Sequence, residues 1–165
     1  MINNFGAFNR KNENTNMSLI YFRDTKQKAI KAKNEISKIN KAIENHDMTI
    51  APSIWALEPV GSNILFEQFV QRLPKGFLII MPNPSHIGSL KNVRELIKKD
   101  ACILFSDYGM EVVHSFSFYK VCKGYLKSVG VTEFNNIQVS NFFHNISWQV
   151  KDRTSDKEGT IACKF

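Results

Sequence analysis

No apolar run in this sequence approaches the roughly 20 residues that a membrane-spanning helix needs. The longest, Gly76 to Met81, has the length of a strand, so no membrane span is expected. Cysteine is scarce: Cys102, Cys122 and Cys163 are odd in number and widely spaced, which provides neither a disulfide framework nor a C-x-x-C zinc pair. They are expected as buried thiols. His46, His86, His114 and His144 include no pair at helical i, i+3 or i, i+4 spacing, so no metal and no cofactor is expected. G-x-G-x-x-G, G-x-x-x-x-G-K-[ST] and G-x-S-x-G are all absent, which removes the familiar phosphate-binding loops and the nucleophile elbow. The opening MINNFGAFNRKNENTN has no apolar h-region, so a secretory signal is not expected and a cytoplasmic location is.

Acidic residues are also outnumbered, 15 against 22 Lys and Arg, for a net charge of +7. The imbalance lies early, with 9 basic against 5 acidic residues before position 48, and 7 against 6 after position 100. A localised basic surface favours phosphate backbones or other polyanions and bears on association rather than fold.

What is present begins with an Asn-rich tail and a short apolar patch, Leu19-Ile20-Tyr21-Phe22, expected to dock on the domain. From Thr25 to Asn45 there is neither Gly nor Pro, and Ala29, Ala32, Ile36, Ile39 and Ile43 are spaced 3, 4, 3, 4. That is the seam of a coiled coil, two apolar residues per heptad. Lys26, Lys28, Lys31, Lys33, Lys38 and Lys41 surround it and form the candidate polyanion-binding set. A stripe of fewer than three heptads is marginal alone, so it must be covered by a second copy, a partner helix or the chain's own domain. As an oligomer seam it implies a homodimer.

After His46-Asp47 the period changes. Pro52 limits any strand in MTIAPSIWALEPV to an edge or a broken one, and Asn63 to Leu73 reads as a short amphipathic helix stopped by Pro74. Gly76–Met81, a helix over Ser89–Lys99 and Ala101–Phe105 form a strand, helix, strand unit, the βαβ pattern of a parallel pair. Residues 110–129 fit both periods, and helix is favoured because the fit holds over five turns. Ile146, Trp148 and Val150, then Ile161, Cys163 and Phe165, alternate with polar neighbours around KDRTSDKEG, as in an antiparallel hairpin. The fold class expected is α/β, with α+β open. It comprises a tail (1–23), a lysine-rich amphipathic helix (24–46) and one domain (48–165) with a small mixed sheet, a βαβ unit and a C-terminal hairpin.

Three function classes follow. The first is a non-enzymatic basic binding or assembly domain, nucleic-acid-associated or regulatory, in which the lysine helix meets a polyanion and Lys151, Arg153 and Lys157 form a second basic patch on a wing-like hairpin. Asn136, Gln138, Ser140 and Asn141 are of types that contact base edges. The second is a small-ligand-sensing domain that signals through its N-terminal helix. The third is an enzyme with its site at loop 82–89. There Ser85, His86 and Ser89 stand where open α/β sheets bind ligands; Pro82 and Pro84, lacking N–H donors, favour a plain turn.

Overall fold

The computed structural model describes residues 17–23, 29–45, 54–59, 61–108, 112–134 and 137–139, with the side chains of 29–32 excepted. The sheet is built from β1 (Ser18–Arg23), β2 (Ile54–Glu58), β3 (Leu78–Met81), β4 (Cys102–Phe105) and β5 (Val112–His114). The helices are α1 (Ala29–Asn45), α2 (Ile64–Arg72), α3 (Leu90–Lys98) and α4 (Ser115–Ser128). Strand order is β2-β1-β3-β4-β5. The first four strands run parallel, and β5 is antiparallel to β4. The α/β class and the β3-α3-β4 unit are as expected.

Strand alternation sorts the apolar residues onto two faces. Leu19 and Tyr21 of β1, Ile79 and Met81 of β3 and Ile103 and Phe105 of β4 join one core with α2, α3 and α4. Ile20, Phe22, Leu78, Ile80, Cys102 and Leu104 face the other way, onto α1. The direction of chain travel explains the split. β1 to β2 steps one way along the sheet and β2 to β3 steps back across β1, so crossovers of the usual right hand place α1 and α2 on opposite faces.

Ser18–Arg23 differs from expectation. Rather than a patch docking on a domain, it is an inner strand paired with both β2 and β3, with Leu19, Ile20, Tyr21 and Phe22 at most 1% exposed. The seam of α1 is covered by the chain itself: Ile39 is 1% exposed, and Ile36 and Ile43 pack beside it on the sheet. Of the covers expected for the stripe, the chain's own sheet is the one that Ile36, Ile39 and Ile43 meet, through residues of β1, β3 and β4. Ala29 and Ala32 lie among the side chains not described.

β2 begins two residues past Pro52 and is an edge strand, where a missing N–H is tolerated. Residues 110–129 hold both candidates in turn, three residues of strand and then a helix from Ser115. Cys122 is a buried free thiol as expected, and burial pushes its pKa well above the ordinary range. Cys102 departs from expectation and is disulfide-bonded. The C-terminal hairpin lies outside the described residues. Among those described, no helix is long and apolar enough to cross a membrane.

Candidate functional site

Alternation along β1 puts Tyr21 and Arg23 on the same face, and the parallel register sets Arg23 beside Glu58 of β2. All three lie at the carboxyl end of the sheet, next to the place where strand order reverses about β1, the position that binds ligands in open α/β sheets. The Tyr21 hydroxyl donates to Glu58 Oε1 at 3.1 Å and accepts from Arg23 Nη2 at 2.7 Å. Arg23 also donates to the Ser62 carbonyl at 2.9 Å and to Asn63 Oδ1 at 2.6 Å. Its direct acceptors are therefore neutral, and Glu58 reaches it through the tyrosine.

Glu58 is fully buried, and burial alone raises a carboxyl pKa. Hydrogen bonds from Ser62 Oγ, the Phe66 and Leu65 N–H groups and Tyr21 outweigh that effect and hold it below its ordinary value. Two of these donors are the free N–H groups at the start of α2, at 2.8 Å for Phe66 and 3.2 Å for Leu65. The dipole end that would attract an external phosphate is thus occupied by the chain's own carboxylate. Burial is likewise the main reason the Tyr21 hydroxyl is raised far above its usual pKa.

The loop after β3 is knitted in the same way. Asn83 Oδ1 accepts from both the backbone N–H and the hydroxyl of Ser85. His86 Nδ1 accepts from the Arg23 N–H at 2.9 Å, and its ring meets Phe22 edge-on. Ser89 takes the N-cap position of α3 without a side-chain cap bond. Its backbone bridges Gln138, while the Leu90 N–H donates to the Ile137 carbonyl at 3.0 Å. Asn92 is 3% exposed; it exchanges two hydrogen bonds with Asn63 and donates to the Ile87 carbonyl. Ser85, His86 and Ser89 are brought to the carboxyl edge as expected, and these contacts tie them to the protein itself.

A groove of about 400 Å³ runs between α2 and α3, with Phe66 and Val70 as its floor, Asn92 at one end and Lys91, Glu95 and Lys98 on its rim. Glu95 and Lys98 pair at 3.2 Å. Lys99 is tied to the carbonyls of Gln71 and Leu73.

On α1, Lys33, Lys38 and Lys41 are exposed. Lys38 pairs with Glu35 at 3.7 Å in solvent, a contact of small energetic weight. Lys26 and Lys28 lie outside the described residues, as do Lys151, Arg153, Lys157, Asn136 and Asn141; nothing is described of the Lys31 and Ser140 side chains. His114 caps α4 through Nδ1 and meets Asp100 through Nε2 at 2.6 Å, at the edge of the sheet opposite Arg23. No cluster of His, Cys, Asp or Glu able to hold a metal exists among the described residues.

Sequence reasoning passed over Arg23, and it found no paired spacing that would single out Glu58. Their signal was a charged residue closing each of two apolar runs, LIYFR and IWALE. The chain matches no protein-family model, no curated protein and no solved structure.

Proposed function

We propose that this chain is a non-enzymatic binding domain that associates with a polyanion, nucleic acid foremost, within a nucleic-acid-associated or regulatory assembly. The observation that carries the reading is the polarity of α1. Its isoleucines are turned onto the sheet, and at about 100° per residue Lys38 and Lys41 fall on the opposite arc while Lys33 lies on the flank, all three exposed. The occupied helix starts around Arg23 support the non-enzymatic part, because Glu58 and the Ile137 carbonyl use the donors a phosphate substrate would need.

The test is binding of the full chain to mixed-sequence DNA and RNA over a salt series. Affinity should fall steeply with salt as counterions are released, and charge reversal at Lys33, Lys38 and Lys41 should flatten the slope by about three. Salt-independent binding, or none at low salt, overturns the proposal.

The groove between α2 and α3 favours a second reading, a small-ligand-sensing domain, since its size lies within the range of known small-molecule sites. A thermal-shift screen that finds a ligand whose effect is lost in Val70→Trp, a substitution that fills the floor, supports it.

A further inference from the structure

The outer face of α4 carries a combination that neither α1 nor the groove has. The helix buries Ser115, Ser117, Phe118, Val121, Cys122 and Leu126. On the other side, Phe116, Lys120, Lys123, Gly124 and Lys127 fall within one arc of roughly 100°. The helix contains no Asp or Glu, and none of its three lysines makes an ion pair among the described residues.

Two residues on this arc are unexplained by the fold. Phe116 is 42% exposed, with Lys120 Nζ 5.4 Å from its ring centre. Gly124 sits inside a helix, where glycine is a poor choice, yet a Cβ built there would meet nothing within 4 Å. Packing does not require this glycine. Its effect is to leave the middle of the lysine row without a side chain, open to close approach by another molecule. Lys123 reinforces the aromatic character, lying 5.8 Å from the Tyr119 ring and 6.0 Å from the Phe134 ring.

We infer that this face binds single-stranded nucleic acid, with an unstacked base on Phe116 and the sugar–phosphate chain passing over Gly124 between Lys120, Lys123 and Lys127. A row of unpaired ammonium groups calls for a polyanion. An exposed ring whose face already attracts cations offers a stacking platform, and stacking on aromatics combined with a basic track is how sequence-tolerant single-strand binders work. In a duplex the bases are already stacked and cannot lie on Phe116. An anionic membrane fits less well, because interfacial helices insert a broad apolar face and this arc has one apolar residue.

The inference shares its ligand class with the proposed function but rests on a different surface, on the opposite side of the sheet from α1. The test is fluorescence anisotropy of the full chain with labelled oligo-dT and oligo-U of about twelve nucleotides, set against a duplex of equal length and anionic vesicles. Single strands should bind tightest. Phe116→Ala should weaken single-strand binding about tenfold, and Phe116→Trp should retain it. Gly124→Ala should raise the melting temperature yet weaken binding, a pair of opposite signs that a purely structural role does not produce.

Equal binding of duplex and single strand, preference for vesicles, or a Phe116→Ala protein that binds like the parent overturns the inference. Reversal of Lys33, Lys38 and Lys41 separates the two surfaces. Loss of binding there alone leaves α1 standing and removes α4, whereas loss in Phe116→Ala alone does the converse.

Discussion

The hydroxyl of Tyr21 and the carboxylate of Glu58 meet at 3.1 Å beneath the Arg23 guanidinium, so one buried acid joins β1, β2 and the start of α2. Both carboxylate oxygens are used, Oε1 by Tyr21 and the Phe66 N–H, Oε2 by Ser62 and the Leu65 N–H. Glu58→Gln turns an NH₂ group toward two of these donors. The expected cost is about 3 kcal/mol, the scale of a buried polar group left without its partner, read as a lower urea midpoint at neutral pH.

The same carboxyl governs behaviour in acid. Its folded pKa lies below the ordinary value, so the ionised form stabilises the fold fully above the unfolded pKa of about 4.3. That contribution is lost as pH falls through the folded pKa. Denaturation curves of the parent and Glu58→Gln should therefore differ most at neutral pH and converge in the window below about 4. A gap that stays constant across that window would show that Glu58 is not the group responsible.

These residues also show what sequence could and could not reveal. β3, α3 and β4 were legible because continuous apolar runs flank an amphipathic segment inside about thirty residues, and that information is local. β1 was not. Its pairing partners lie far along the chain, Leu19 with Ile54 and Ser18 with Leu78, and a six-residue strand beside an Asn-rich tail carries no local mark of being central. Residues 112–128 were ambiguous because a strand and a helix abut at Ser115, mixing two periods. The Arg23–Glu58 pairing depends on sheet register, which periodicity alone does not specify.

Gly88 and Gly61 offer a controlled comparison. Both have φ near +90°, a region costly to residues with a Cβ. A Cβ at Gly88 would stand 3.0 Å from Arg23 Cζ and 3.2 Å from Asn92 Nδ2, whereas at Gly61 it meets nothing within 4 Å. Gly61→Ala should cost about 1 kcal/mol from backbone strain alone. Gly88→Ala should cost that plus the displacement of Arg23, about 2 to 3 kcal/mol. Thermal denaturation of the two proteins measures the difference, and equal losses would mean that the Arg23 guanidinium shifts without cost.

Ile39 decides what the hydrophobic stripe of α1 is for. At 1% exposure among Ile20, Phe22, Leu78 and Ile80, it lies inside the second core, and Ile39→Ala should remove about 2 to 4 kcal/mol through lost burial and the cavity left behind. Because the neighbours are the chain's own strands, that loss should appear in denaturation curves at every protein concentration, with the sedimentation coefficient of the folded protein unchanged. An interface between copies behaves differently, since truncating its central residue shifts a concentration-dependent association and leaves the protomer's unfolding free energy nearly intact. Stability lost without a change in mass therefore marks the stripe as core, and mass lost without a change in protomer stability would return it to the role of an interface.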